Sequence, residues 1–502
     1  MKALSAPKFT VKTAILILLL FALAIRPAVK WISYEVFDMD EAGQFWMAKG
    51  LNHDSAPYSS FGTLQDALKN NRYYNMDPGG FTALLYFWSK ISNDIHFLRI
   101  LPILFYFGFL LGLFLIGKRL LRSSLWALAF TLLGILPHFQ NLFHYLSFPF
   151  AARVGYLRAY TMEMCGVVLT VAYMLKHRAD ERLSYSYLLK LSILMAFFCT
   201  SRYGFVITAF ALSLRTLLQL YVHRDSLADF FKRSVVFGLP LLLMVATIYF
   251  GETKYQNGDI RLLPYYTTLH MKPVLLLSWL SVSLYLVAFY SLHQLKVQKK
   301  RPCELFIITL FVGPVFLILS ALNIYPWSPL STMPVMILTQ FSLMYIFLNW
   351  LQKIILDKLF IPILASVLIL LNLVLWPMGI RSLSHNDNTE ELAEIENACQ
   401  SEKPVLVSSG MNPVCRYLFE YGILKSNGYP SSFSFQTGTP HPDGFFSHPT
   451  SIHQELDYQD FAWYLADSRL GEDSPDNSMP VGRFVYKNNS YNESTSNNGP
   501  TQ

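Results

Sequence analysis

The chain has 502 residues, of which 53% are hydrophobic and only 15% are charged. An ordinary soluble protein has about a quarter of its residues charged, so this composition excludes a typical water-soluble surface. The net charge is +7, and in a chain with recurring apolar runs such an excess is typical of cytoplasmic loops rather than of nucleic-acid binding. The composition therefore predicts a polytopic α-helical membrane protein.

The N-terminal part of the chain predicts one span and a long outer loop. Residues 13–31 are apolar and follow a short basic segment, so we expect an uncleaved first span with its N-terminus in the cytoplasm. The polar stretch 32–96 is then the first extracytoplasmic loop. Within it the apolar run 80–91 is too short to cross a bilayer, and it predicts an interfacial or re-entrant helix.

The first outer loop opens with an acidic motif, Asp38, Asp40 and Glu41. Carboxylates this close to a membrane surface are costly unless they are solvated, paired or used in a site. A solvated turn next to the membrane is the plain alternative. The rest of the chain decides whether these acids belong to a site.

Ten further apolar segments are predicted to be membrane spans. They are residues 97–117, 123–138, 160–175, 186–200, 204–222, 234–250, 272–293, 304–321, 333–350 and 356–378. With the first span the predicted total is about eleven. The loops that this count places in the cytoplasm are all basic, as the positive-inside rule requires, and an odd number of spans puts the C-terminus outside.

After the last span the composition becomes polar. We predict a membrane domain over residues 1–382, a small extracytoplasmic α/β domain over 383–487 and a disordered tail over 488–502. Within the α/β domain, strands are predicted over 404–408, 461–466 and 484–487, and a helix over 414–424. Cys399 and Cys415 lie in the same region and could form a disulfide, although sequence gives no distance between them.

A second group of polar residues falls on the predicted outer face of the membrane domain: Arg153, Arg158, Tyr160, Glu163 and Arg202. Glu163 lies about one turn inside a predicted span. Tyr160 shares its helix face, and Arg158 could reach it from the helix N-terminus. A structural ion pair is the alternative for Glu163, and an outer-face arginine such as Arg153 can simply extend towards lipid head groups.

Outward carboxylates combined with outward arginines suit group transfer from a phosphate-linked donor. Arginine binds phosphate bidentately and stays charged. A carboxylate near the acceptor hydroxyl can take its proton, and fixed cations stabilise the charge that grows on the phosphate. The histidines in the C-terminal region, His441, His448 and His453, have a spacing that fits no standard zinc site.

Four sequence features occur together in a known family. They are Asp40-Glu41 directly after the first span, a short apolar helix followed by Leu98-Arg99 at the start of the second, Arg158-Ala159-Tyr160 at the start of a later span, and Arg202-Tyr203 at the tip of a helical hairpin. In these features the chain resembles the polytopic GT-C glycosyltransferases, specifically the family 39 branch of protein O-mannosyltransferases and the lipid A aminoarabinose transferase.

The resemblance implies an inverting transfer of a sugar from a polyprenyl-phosphate donor to an acceptor hydroxyl. The reaction would take place on the extracytoplasmic face of a bacterial inner membrane. Among the three acids the resemblance singles out Asp40 and Glu41 as catalytic residues, which leaves Asp38 as a solvated neighbour. Asp40 would be the base, and Glu41 would orient the acceptor or assist. Arg158 and Arg202 would bind the lipid phosphate. The remaining candidate substrate-binding residues are Arg153, Tyr160 and Glu163.

Several alternatives stay open at this point. The acceptor can be a protein, a lipid or a glycan. No cofactor or metal is assigned, although a divalent cation stays possible. A transporter or flippase of lipid-linked glycans is the main alternative function, and a non-catalytic scaffold that acts through its C-terminal region is the third.

Overall fold

Apolar α-helices dominate the part of the chain that the structure, a computed structural model, describes. The described residues are 11–34, 36–50, 61–75, 77–135, 154–177, 181–253, 301–322, 324–325, 333–384, 393, 395–397, 405–407, 412–422, 424, 433–435, 463–465, 478–480 and 485–488.

Fourteen helices are described here in chain order. They are α1 (Val11–Ile32), α2 (Met39–Ala48), α3 (Leu64–Tyr74), α4 (Gly80–Ser89), α5 (Ile95–Leu121), α6 (Ser124–Ile135), α7 (Tyr160–Met174), α8 (Tyr185–Cys199), α9 (Tyr203–Val222), α10 (Leu227–Ile248), α11 (Arg301–Ala321), α12 (Met333–Ile354), α13 (Asp357–Ser384) and α14 (Asn412–Glu420). A π-helical turn, Tyr249–Thr253, continues α10.

Helices occupy ten of the eleven predicted spans, and the remaining one, 272–293, lies outside the described residues. Within the described part of the chain, five helices are long and apolar enough to cross a membrane: Ala14–Ile32, Ile95–Leu121, Tyr203–Val222, Leu227–Gly251 and Met333–Ile354. Five shorter apolar helices accompany them: Ser124–Ile135, Tyr160–Met174, Tyr185–Cys199, Glu304–Leu319 and Leu359–Val374. The total of about eleven spans stays a prediction.

Glycines allow α5 and α7 to approach closely. A Cβ on Gly108 would lie 2.6 Å from the sulfur of Cys165, and one on Gly112 would lie 2.5 Å from Cγ1 of Val168. Small residues let apolar helices pack with their backbones near each other, which compensates for the weak hydrophobic drive between helices in lipid. These two glycines of α5 therefore allow close packing against α7, the helix that carries Glu163.

The chain divides into two compact units. Unit one contains Met1–Trp31 and Pro102–Ile380, and unit two contains Ile32–Leu101 and Arg381–Gln502. Unit two thus groups the first predicted outer loop with the C-terminal region. The domain boundary predicted at residues 382 and 383 stays a prediction.

Five short strands of unit two form one sheet: β1 (Val405–Val407), β2 (Phe433–Phe435), β3 (Trp463–Leu465), β4 (Ser478–Pro480) and β5 (Val485–Asn488). Their order is β2-β1-β3-β5-β4. Strand β1 runs parallel to β2 and β3, whereas β5 is antiparallel to β3 and β4.

The strands and α14 can be compared with the sequence pattern. The predicted strands correspond to β1, β3 and β5, and the predicted helix corresponds to α14, which begins two residues earlier and ends four residues earlier. Strands β2 and β4 have three residues each and were not predicted. A separate extracytoplasmic α/β domain stays a prediction, and the tail beyond Asn488 lies outside the described residues.

Candidate functional site

The acidic motif forms the start of α2. Asp38 is the N-cap, and its carboxylate accepts a hydrogen bond from the backbone N–H of Asp40 at 3.2 Å. The Glu41 carboxylate accepts one in return from the backbone N–H of Asp38 at 3.1 Å. This reciprocal arrangement is a capping box, which satisfies backbone donors that have no partner within the helix. Asp38, interpreted from the sequence as a solvated neighbour, is partly exposed and also has a structural role, because its side chain caps the helix.

Glu41 has a second partner, Arg99 at the start of α5. Nη2 of Arg99 lies 2.7 Å from Oε2 of Glu41, and Nε lies 3.1 Å from Oε1, so the contact is bidentate. Arg99 also donates to the backbone carbonyls of Tyr34 at 2.6 Å and Val36 at 3.0 Å. The Glu41 and Arg99 side chains are at most 1% exposed. A buried charge requires this kind of pairing, so Glu41 has a structural role that sequence did not assign to it.

Asp40, the second residue of α2, is partly exposed. Gln44 lies one turn further along the same face of α2. Its side chain belongs to a buried hydrogen-bond network that also includes side chains of α3, of α4 and of the residue that follows α3. Nε2 of Gln44 donates to Oγ1 of Thr82 at 2.8 Å, and Nδ2 of Asn75 donates to Oε1 of Gln44 at 3.1 Å. Oγ1 of Thr82 donates to Oδ1 of Asn71 at 2.7 Å. Because buried polar networks are costly to rearrange, this one fixes the orientation of the helix that carries Asp40.

The other end of α2 carries a buried lysine. Lys49 is the C-cap residue and is 0% exposed. Its ammonium lies 3.7 Å from the ring centroid of Tyr421 and 4.9 Å from that of Phe61. Burial lowers the pKa of Lys49 to about 8, because the charged form loses hydration, and the nearby carboxylate of Glu420 opposes that shift.

Unit one brings three of the candidate residues together. Nη1 of Arg202, the residue before α9, lies 3.1 Å from Oε2 of Glu163 in α7. The guanidinium carbon of Arg202 lies 4.4 Å from the ring centroid of Tyr160, the first residue of α7. Glu163 is fully buried, whereas the Arg202 side chain is 16% exposed. The carboxylate and the ring therefore both hold the guanidinium of Arg202.

The cluster of Tyr160, Glu163 and Arg202 refines the prediction for Glu163. Sequence suggested Arg158 as a group within reach of Glu163, and the structure pairs Glu163 with Arg202, 39 positions away. Arg158 is partly buried just before α7, where its backbone N–H donates to the carbonyl of Tyr156 at 2.7 Å. Arg153 lies outside the described residues.

The candidate residues thus fall in two places. Asp40 and Glu41 belong to unit two, whereas Arg158, Tyr160, Glu163 and Arg202 belong to unit one. Sequence reasoning did not place Gln44 or Arg99 in a site. Within the described ranges no group of three or more His, Cys, Asp or Glu side chains is arranged to hold a metal ion. Cys415 is buried, whereas Cys399 and the three C-terminal histidines lie outside those ranges, so the disulfide between the two cysteines stays a prediction.

The long apolar helices identify the class: the chain is an integral multi-pass membrane protein. No protein-family model matches it, and no curated protein matches it. Among solved structures it is similar to the oligosaccharyltransferase of Archaeoglobus fulgidus, crystallised with zinc and sulfate. The two chains are 12% identical, the TM-score is 0.42, and the similarity covers 94% of this chain and 73% of that one. Similarity at this level establishes neither a shared fold nor a shared function.

Proposed function

We propose that the chain is an inverting glycosyltransferase that moves a sugar from a polyprenyl-phosphate donor to an acceptor hydroxyl at the extracytoplasmic face of the membrane. In this reaction the acceptor oxygen bonds to the anomeric carbon as the bond from that carbon to the phosphate oxygen breaks. The acceptor proton passes to a carboxylate, and the polyprenyl phosphate leaves with the bonding electrons. The acceptor is a protein, lipid or glycan.

The observation that carries the proposal is the different environment of neighbouring acids on α2. Glu41 is fully buried in its bidentate contact with Arg99, which makes it unsuited to reach a substrate. Asp40 is partly exposed on a helix that a capping box and a buried polar network hold in place. A carboxylate in fixed geometry is what general base catalysis needs. We therefore assign the base to Asp40 and a supporting role to Glu41.

Arg202 is our first candidate for the donor phosphate. Its guanidinium is held by Glu163 and Tyr160 and remains partly exposed, and Arg158 and Arg153 are further candidates on the same predicted face. A guanidinium that is already fixed loses little freedom when it binds phosphate, and it stabilises the charge that develops there.

The test compares two isosteric variants two residues apart. Membranes containing wild type, Asp40→Asn or Asp38→Asn are incubated with polyprenyl-phosphate sugars extracted from the host, and new glycosides are measured by mass spectrometry. Asparagine is as good an N-cap as aspartate, so Asp38→Asn should keep both the helix and the activity. Asp40→Asn should reduce transfer by at least about 100-fold while the protein folds normally. Full activity in Asp40→Asn would refute the base assignment.

One observation supports the alternative function, a transporter of lipid-linked glycans. Arg215 of α9 forms an ion pair with Glu304 of α11, and both side chains are less than one-tenth exposed within apolar helices. Ionisable residues inside a membrane often mark a transport pathway. The test measures whether labelled lipid-linked sugar crosses the membrane of proteoliposomes. Movement without formation of a new glycosidic bond, and its loss in Glu304→Gln, would favour the transporter over the transferase.

A further inference from the structure

Helix α14 lies against α2, although the two are far apart in the chain. Nε1 of Trp46 donates a hydrogen bond to the backbone carbonyl of Pro413 at 2.9 Å. The ring of Tyr417 lies 5.2 Å from that of Phe45, measured between centroids, and its hydroxyl donates to the carbonyl of Asn93 at 2.7 Å. These contacts join the C-terminal region to the first outer loop within unit two.

Lys49 makes a further contact between the C-terminal end of α2 and the residue that follows α14. Its ammonium lies over four aromatic rings, at 3.7 Å from the centroid of Tyr421 and 4.9 to 5.8 Å from those of Phe61, Trp46 and Phe45. A desolvated cation over an aromatic face is attracted by the ring, which offsets part of the cost of burying the charge. The C-terminal end of α2 is thereby fixed to the residue that follows α14.

The geometry of α2 relates these contacts to Asp40. Nine positions separate Asp40 from Lys49, which is roughly two and a half helical turns, so the two side chains lie on opposite faces. The face that carries Phe45, Trp46 and Lys49 packs on α14 and its flanking residues. Asp40 itself is partly exposed and lies on the opposite face of α2 from Lys49.

We infer that the segment Asn412–Tyr421 is a positioning element for α2, which it holds from behind so that Asp40 keeps its reactive geometry. The inference rests on the proposed function for its catalytic consequence, but the contact itself does not. Tyr421, Trp46 and Lys49 are the positioning residues. A role of this kind gives the C-terminal region a part in the reaction without contact with the substrate.

The test measures hydrogen exchange and transfer in the full-length protein at pH 7. The variants are Tyr421→Leu, Lys49→Met, their combination, and Trp46→Phe, which keeps a ring but removes the bond to Pro413. We expect the amides of α2 to exchange about tenfold faster in each single variant. The Tyr421→Leu/Lys49→Met combination should have a smaller effect than the two single variants added together, because both of them remove the contact between Lys49 and Tyr421. Tyr421→Phe keeps the ring over Lys49, so its α2 amides should exchange more slowly than those of Tyr421→Leu. Amides of α9, in unit one, provide the internal reference.

The catalytic consequence needs a second measurement. In the same variants kcat per folded molecule should fall about tenfold with an unchanged KM for the donor, since only the position of the base is altered. Unchanged exchange in Tyr421→Leu and Trp46→Phe would overturn the inference whatever the protein's function. Faster exchange with an unchanged kcat would reduce α14 to a purely structural role. A wild-type protein that transfers no sugar would refute the proposed function, and the exchange data would still decide whether α14 fixes α2.

Discussion

Glu41→Gln is expected to destabilise the protein strongly. Glu41 and Arg99 are at most 1% exposed, so solvent screens their interaction little, and the substitution leaves the Arg99 charge buried without its counter-ion. Removing one partner of a buried ion pair costs about 3–5 kcal/mol. We expect a cost in the lower half of that range, because Arg99 keeps its hydrogen bonds to two backbone carbonyls and glutamine retains one side-chain oxygen as an acceptor.

The assay is denaturant-induced unfolding of the purified protein in detergent, with two matched comparisons. Asp225→Asn breaks an ion pair of the same chemistry, with Arg182, but these side chains are 64% and 46% exposed, so the expected cost is below about 1 kcal/mol. The double variant Glu41→Gln/Arg99→Met removes both charges and should cost roughly 1–3 kcal/mol less than the sum of the single variants. A Glu41→Gln variant no less stable than Asp225→Asn would refute the reasoning.

Three further predictions concern other sites. Gly43→Ala should stabilise the protein by about 0.5–1 kcal/mol, because Gly43 lies in mid-helix and an added Cβ meets nothing within 4 Å. Gly166→Ala should destabilise it by about 1–3 kcal/mol, because the added Cβ would lie 2.6 Å from the ring of Phe198. Thermal unfolding of both variants checks this pair of predictions. The free energy of unfolding should rise as pH increases from about 8 to 10.5, because the unfolded chain binds the Lys49 proton more tightly than the folded one. The free energy of unfolding of Lys49→Met, measured over the same pH range, should lack that rise if Lys49 causes it. Arg202→Lys should keep the ion pair but reduce transfer about tenfold or more through loss of bidentate phosphate binding, and an unchanged rate would remove Arg202 from the donor site.

Local patterns of hydropathy predicted the helices well. The segment predicted at 160–175 is α7, and the apolar run broken at Ser201 and Arg202 is the hairpin of α8, which ends at Cys199, and α9, which begins at Tyr203. These features depend on run length and on a few interrupting polar residues, which are legible in one sequence.

The partners of the charged residues could not be predicted in the same way. Glu41 pairs with Arg99 across 58 positions, and Glu163 pairs with Arg202 across 39. Such contacts are set by how helices pack, and hydropathy carries no information about that packing. The role of Asp38 was legible and was missed, because an acidic residue followed three positions later by Glu41 is the spacing of a capping box.

The mass of the envelope glycans, lipids and proteins tests the proposed transfer most directly. A deletion strain is compared with the same strain carrying wild type or Asp40→Asn. A single class of product should lose the mass of one sugar on deletion, regain it with wild type and fail to regain it with Asp40→Asn, although both proteins are present in the membrane in equal amounts. Identical spectra in all three strains, or recovery of the sugar with Asp40→Asn, would contradict the proposal.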